Sequence, residues 1–186
     1  MRWGIFATLN LAGLFMKKVF ISRALDEGSI FRKILVANGF EIHGESLVAF
    51  SSLPIHWLPP ADWLFFYSKT GVRYFFGQVS PEKTAAIKIA AIGPGTAQAI
   101  ETCARPPDFT GDGDPENTAA LFLQQARGQR VLFPRARESR QSIQKLLEPH
   151  IVALDLVVYE NSPRQDFNLP HFDVLVFTSP MNVEAY

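Results

Sequence analysis

The sequence predicts an α/β fold built on parallel sheets, and two observations carry that reading. Short runs rich in branched and aromatic residues alternate along the chain with segments of helical apolar spacing. That alternation is the pattern of strands joined by helical crossovers. The pattern also repeats itself. Lys18-Val19-Phe20-Ile21-Ser22-Arg23-Ala24 returns 112 residues later as Arg130-Val131-Leu132-Phe133-Pro134-Arg135-Ala136. Gly39-Phe40-Glu41-Ile42, leading to Leu47-Val48, returns 110 residues later as Pro149-His150-Ile151-Val152, leading to Val157-Val158. Phe66-Tyr67-Ser68, followed by Val72 and Phe75, returns 111 residues later as Phe177-Thr178-Ser179, followed by Val183 and Tyr186. Such a period is too long for a solenoid and suits a duplicated domain-sized module. Two similar halves commonly enclose a ligand between them. The last repeated unit stops at Tyr186, about one helical turn in, so one half is expected to be incomplete.

Taken in order, Val19 to Ser22 reads as a buried parallel strand. Ile30, Ile34, Leu35 and Ala37 follow helical spacing after Ser29, and Asn38-Gly39 supplies a stop. Glu41 to Phe50 reads as extended, completing a strand–helix–strand unit. Pro54, Pro59 and Pro60 mark a loop with room for a short helix over Leu53 to Leu58. Trp63 to Tyr67 is the next strand, with a helix from near Val72. Lys88 to Ile92 follows, then Gly93-Pro94-Gly95-Thr96 and a helix through Ile100. A polar loop over Thr110 to Glu116 precedes a helix from Thr118 to Ala126, with Asn117 as its cap. Arg130 to Phe133, a helix around Ser139 to Leu147, and Leu154 to Tyr159 repeat the opening unit. Val174 to Phe177 is the last strand.

Composition narrows the function. Lys plus Arg equals Asp plus Glu at 18 each, so no overall basic charge draws the chain to nucleic acid. The lone Cys103 excludes an intramolecular disulfide and a cysteine metal cluster, and fits a reducing cytoplasm. His43, His56, His150 and His171 show no ligand spacing, so no metal is expected. The apolar run Trp3 to Met16 is shorter than the roughly 20 residues needed to cross a bilayer. It also lacks the charge order and cleavage site of a secretory peptide. Residues 1–16 are therefore read as an upstream extension, with Met16 as the natural start and no membrane as a partner.

The chemically suggestive residues lie at predicted strand C-termini, where open α/β sheets bind ligands. They are Arg23, Ser68-Lys69, Gly93 to Thr96, Arg135-Ala136-Arg137, Tyr159 and Thr178-Ser179. Gly93 and Gly95 permit a tight turn into a helix whose free amides attract anions. Ser68, Thr96 and Ser179 add hydroxyls, and Arg23 and Arg135 offer carboxylate forks. Each serine or threonine also fits a plain N-cap. Arg135, Arg137 and Arg140 fit either an acidic-ligand patch or a solvated face. Trp57 and Trp63 read as packing residues, and Tyr159 fits either a cleft phenol or a core ring. Gln98 stands where a dinucleotide fingerprint needs its third glycine, so no nucleotide cofactor is expected. Gly111-Asp112-Gly113-Asp114 lacks the spaced ligands of a calcium loop and reads as a flexible surface loop. The sequence shows neither the acidic pair nor the strand-end aspartate of a receiver module.

At these residues the chain resembles the uroporphyrinogen-III synthase family. The matching pieces are Phe65-Phe66-Tyr67-Ser68-x-x-Gly71-Val72, Ala91-Ile92-Gly93-Pro94-Gly95-Thr96-Ala97, Pro107-Asp108-Phe109, Val157-Val158-Tyr159 and Val176-Phe177-Thr178-Ser179-Pro180. Their order and spacing, together with the repeat, carry the resemblance over about Lys17 to Tyr186. It implies two flavodoxin-like domains with parallel sheets. Residues 50–160 would form the complete central one. Residues 17–49 with 167–186 would form a discontinuous, incomplete one, reached through a linker at 161–166. It implies a cytoplasmic, monomeric, cofactor-free lyase that cyclises hydroxymethylbilane, inverts its terminal pyrrole and releases water through a spiro-pyrrolenine. Tyr159 would help the hydroxyl leave, and Ser68 and Thr96 would hold acetate or propionate arms. Arg23, Thr178 and Ser179 would represent the other domain. A chain ending at Tyr186 is then expected to be weak or inactive, with a non-catalytic tetrapyrrole- or anion-binding remnant as the alternative.

Overall fold

A computed structural model of the chain describes residues 16–169 and 171–186. The segment 1–15, most of the extension read above, lies outside the described residues. In chain order the elements are β1 (Lys17–Ile21), α1 (Ile30–Ala37), β2 (Phe40–Gly44), β3 (Val48–Ser52), β4 (Trp63–Phe66), α2 (Lys69–Phe76), β5 (Lys88–Ala91), α3 (Pro94–Cys103), β6 (Phe109–Thr110), α4 (Pro115–Ala126), β7 (Arg130–Ala136), α5 (Ser142–Leu147), β8 (Val152–Pro163), β9 (Val174–Val176) and α6 (Pro180–Ala185). The chain divides into two compact units, one running to Ala49 and resuming over Ser162–Tyr186, the other spanning Phe50–Asn161.

The first unit is organised on a three-stranded parallel sheet of order β2-β1-β9. Val19, Phe20 and Ile21 of the central strand are buried, as an apolar run covered on both faces requires. Phe20 packs on His43 and Phe172 at ring separations of 5.9 and 5.5 Å. Ser29 caps α1 by accepting from the Arg32 amide at 3.4 Å, and Gly39 leaves the helix at φ +78°. The amphipathic α1 buries none of its residues, and Ile30 is 75% exposed.

The second unit owes its layers to the pleat. Along β4 the side chains alternate, so Leu64 and Phe66 enter one apolar cluster and Trp63 and Phe65 the other. The first cluster takes Val72 and Phe75 from α2 and Ala97 and Ile100 from α3. The second takes Ala119, Phe122 and Ala126 from α4 and Ile143 and Leu147 from α5. Phe122 is its hub, 5.0 Å from Trp63, 4.9 Å from Phe65 and 5.2 Å from Phe109 by ring centroid. Burying a ring of this kind contributes about 1.5–3 kcal/mol.

The strand order β3-β8-β7-β4-β5-β6 places the reversal of chain direction across the sheet between β4 and β7. Numbered within the unit, its five parallel strands run 3-2-1-4-5 rather than the flavodoxin 2-1-3-4-5. β4 and β7 pair over only Trp63↔Val131 and Leu64↔Leu132, while β7 continues to Ala136. The turns that follow the two strands flank this reversal point, the place where open α/β sheets bind ligands.

Several sequence expectations shift. The run over Glu41 to Phe50 is two strands, β2 and β3, separated at Glu45 to Leu47. Leu53 to Leu58 holds no helix. The helix expected from Thr118 starts at Pro115, and its cap is Asp114, whose carboxylate accepts from the amides of Glu116 and Asn117 at 3.0 and 2.9 Å. The Gly111–Asp114 segment is a hydrogen-bonded turn rather than a loose loop. Asp112 accepts from the Asp114 amide at 2.9 Å and from the Thr118 hydroxyl at 3.2 Å. Trp63 is fully buried, as a packing residue should be, whereas Trp57 is 67% exposed.

Candidate functional site

The best-formed part of the site is made by the turns after β4 and β5. Ser68 is extended, and its hydroxyl accepts from the Gly71 amide at 3.0 Å, so it serves as the N-cap of α2. Gly71 has to be small because an added Cβ would lie 3.1 Å from the Pro134 carbonyl oxygen. The cap turns Lys69 outward at the first helical position. Its side chain reaches the opening of α3: a Cβ on Gly95 would sit 3.0 Å from Cε and 3.4 Å from Nζ. Gly93 is the extended cap residue of α3, and its carbonyl accepts from the amides of Thr96 and Ala97, each at 3.0 Å. It too must be small, because Gly113 approaches to 3.0 Å of where its Cβ would be. Thr96 is only 7% exposed and sits in the first turn of α3.

A cation resting on a helix N-terminus is electrostatically adverse unless an anion lies between them. The arrangement of Lys69 over α3 is therefore what a bound carboxylate or phosphate would complete. The residues at the ends of β7 and β8 behave differently. Arg135 is mostly buried and engaged. Its Nε donates to Asp155 at 2.6 Å, and its Nη1 donates to the carbonyls of Ala136 and Arg137 at 2.9 and 3.1 Å. Burial disfavours ionisation of Asp155, but the hydrogen bond and charge of Arg135, with Gln144 and Gln141, outweigh it and lower its pKa. Arg135 is thus occupied within the fold instead of offering a free fork. Arg137 pairs with Glu160 at 2.9 Å.

Tyr159 lies inside β8, which continues to Pro163, and not at the strand end expected from the sequence. Its ring is 7% exposed, stacked on Tyr74 at 5.1 Å and tilted against Phe50 at 6.1 Å. In the first unit Arg23 is exposed beyond β1. Thr178 is tied to buried Ser22, its amide donating to the serine hydroxyl at 2.8 Å and its own hydroxyl to the Ser22 carbonyl at 3.0 Å. Ser179 caps α6, accepting from the Asn182 amide at 3.3 Å and from its side chain at 2.8 Å. Asn182 in turn accepts from the Leu47 amide at 3.0 Å. The structure therefore sets Ser68 and Lys69 beside Gly93 and Thr96 through the Lys69–Gly95 contact, while Arg135, Thr178 and Ser179 make hydrogen bonds within their own units.

Sequence reasoning missed Asp155 as the partner of Arg135 and Asp112 as the organiser of the α4 turn. The first depends on strand register; the second was visible as Asp112 followed by Asp114 and Asn117 before an apolar helix. Among the described residues no group of three His, Cys, Asp or Glu side chains is arranged to hold a metal ion. No described helix is long and apolar enough to cross a membrane.

Comparison with known proteins bears on the fold and the family. A uroporphyrinogen III synthase from Helicobacter pylori superposes with a TM-score of 0.64 at 21% identity, over 91% of this chain and 76% of that one. A mutant uroporphyrinogen III synthase from the thermophilic bacterium Thermus thermophilus gives a TM-score of 0.59 at 21% identity, over 91% and 75%. These likenesses establish the fold. No curated protein matches the sequence at a significant level. The sequence model of the family described as uroporphyrinogen-III synthase HemD matches residues 21–186. With nearly all of its described length inside that match, the chain belongs to the uroporphyrinogen-III synthase family.

Proposed function

We propose that the chain acts on hydroxymethylbilane as a cofactor-free lyase of tetrapyrrole and heme biosynthesis, closing it to uroporphyrinogen III with inversion of the terminal ring. In that reaction the hydroxymethyl carbon loses its hydroxyl, which takes a proton and departs as water. The carbon then bonds to the terminal pyrrole, and a spiro-pyrrolenine rearranges before the macrocycle closes. The observation that carries the reading is Lys69 lying over the opening of α3 at Gly95. A linear tetrapyrrole carries eight carboxylates, and one of them suits both the Lys69 charge and the free amides opening α3. Ser68 and Thr96 flank the same opening and are assigned to acetate or propionate arms, with Gly93 letting the chain come close. Arg23, exposed beyond β1, is assigned to a further arm.

Rate enhancement in this scheme comes from holding a flexible substrate in one geometry. Tyr159 is assigned the departing hydroxyl, to which its phenol O–H would donate. The protein is read as a monomer in the cytoplasm. The test is isomer analysis of product formed from hydroxymethylbilane by the purified chain. Type III isomer above the spontaneous type I background, even at a slow rate, is the expected result. Type I alone from a folded sample would overturn the cyclase assignment. Retained binding of an octacarboxylate porphyrin in that sample would then favour a non-catalytic anion-binding remnant.

A further inference from the structure

Beyond the C-terminal ends of β4, β5 and β7 lies a pocket that the proposed function leaves unused. It has a volume of about 180 Å³ and is lined by Tyr67, Ile92, Ser139, Arg140, Gln141 and Ser142 among others. Liquid water takes about 30 Å³ per molecule, so the space holds a carboxylate arm with some of its hydration. Its position follows from topology: Tyr67 follows β4, Ile92 follows β5, and Ser139 to Ser142 follow β7. Tyr67 has the same pleat parity as Trp63 and Phe65, which brings it to the α4–α5 side of the sheet, where it packs against Phe133 at 6.1 Å.

Each of the polar side chains lining the pocket can donate a hydrogen bond. The Tyr67 hydroxyl donates to the Gln144 side-chain oxygen at a long 3.5 Å and also lies within reach of the Ser139 hydroxyl. Gln144 is itself buried and donates to Glu148 at 3.0 Å. Burial pushes the Tyr67 phenol upward in pKa against the opposing pull of Ser139 and Arg135, so it stays a donor at neutral pH. Arg140 takes part in none of the ion pairs seen among the described residues, in contrast to Arg135 and Arg137 beside it. The carboxylate of Asp155 is paired with Arg135 at 2.6 Å. Gln141 holds a left-handed backbone at φ 54°, which costs a non-glycine residue about 1 kcal/mol or more and fixes the turn carrying Arg140 and Ser142.

We propose that this pocket is a second carboxylate subsite, with Arg140 and Tyr67 as the principal ligands and Ser139 and Ser142 as auxiliary donors. It takes a short-chain carboxylate, and on the proposed function that group is a side arm of the tetrapyrrole. The subsite is separate from the Lys69–Gly95 opening and lies at the point where open α/β sheets most often bind ligands.

The probe is succinate, titrated at constant ionic strength against chloride into the full chain while backbone amide resonances are followed. Saturable shifts at residues 139–143 are expected, with affinity reduced about tenfold in Arg140→Gln and severalfold in Tyr67→Phe. Absent or non-saturating shifts, or shifts unchanged in both folded variants, would overturn the subsite. A parallel fluorescence titration with uroporphyrin I separates this inference from the functional one. If succinate binds here and the porphyrin does not bind at all, the tetrapyrrole reading fails while the subsite stands. If the porphyrin binds equally well to wild type and both variants, the subsite fails while the tetrapyrrole reading stands.

Discussion

Lys69 lies against Gly95, its Cε 3.0 Å from where a Cβ would stand and its Nζ 3.4 Å away. The glycine gives the cation room, and the cation faces the positive end of α3. This contact gains little for the folded chain in the absence of an anion, because like-signed charge and dipole oppose each other. Lys69→Gln should therefore leave thermal stability unchanged or slightly raised. The same substitution should weaken binding of an octacarboxylate porphyrin by about tenfold, the usual loss for one charged hydrogen bond. Calorimetry and fluorescence titration on the same variant check both halves; a large fall in melting temperature would show the contact to be structural.

Arg135 and Asp155 set an acid limit. The aspartate pKa is lowered in the folded chain relative to its unfolded value near 3.9. The resulting stabilisation is complete above that unfolded value and is lost as pH falls through the lower folded one. Asp62 with Arg130 and Glu45 with Arg164 act in the same direction. Asp155→Asn should be less stable than wild type at pH 7, and the difference should narrow below about pH 4. Urea melts at neutral, mildly acidic and strongly acidic pH measure it. A gap that stayed constant over that range would rule out the ion pair as its cause.

Gly111 is the tightest of the described glycines. A Cβ there would lie 2.3 Å from the Thr118 hydroxyl, 2.4 Å from its methyl and 2.5 Å from the Ile92 carbonyl oxygen. The last contact is backbone and cannot rotate away. Gly111→Ala should cost about 3 kcal/mol, at the upper end of overpacking penalties. The more open Gly71→Ala, where the nearest atom is 3.1 Å away, should cost clearly less. Equal denaturation midpoints for the two variants would refute this ranking.

What could be read from the chain alone divides along physical lines. Ser29 and Gly39 bracket α1 because capping and left-handed geometry are local, and both were visible in the sequence. The alternation of Trp63, Leu64, Phe65 and Phe66 was hidden, since all four are apolar and a strand buried on both faces carries no period-two signal. Arg135 looked like a ligand because its partner Asp155 is 20 residues away. Only the register that pairs Phe133 with Asp155 puts that carboxylate one pleat from Arg135. Ser68 and Thr96 were placed correctly at helix openings, because strand-to-helix turns are written in glycine, proline and hydroxyl residues. The role of Lys69 needed two turns from separate crossovers to meet.

Tyr159 offers a separable test of chemistry and packing. Its ring is buried and stacked on Tyr74 at 5.1 Å, so the aromatic body is part of the first apolar cluster. Removing the ring with Tyr159→Ala should cost about 3–5 kcal/mol, as other buried aromatic truncations do. Tyr159→Phe keeps the ring and deletes one donor, so stability should stay within about 0.5 kcal/mol of wild type. On the proposed mechanism the same variant should turn hydroxymethylbilane over more slowly, by about a hundredfold or less, since the substrate also cyclises unaided. The two readouts must diverge for the phenol to have a chemical role. If Tyr159→Phe retained both stability and turnover, or lost turnover only in proportion to stability, the residue would be a packing element and the departing hydroxyl would need another donor.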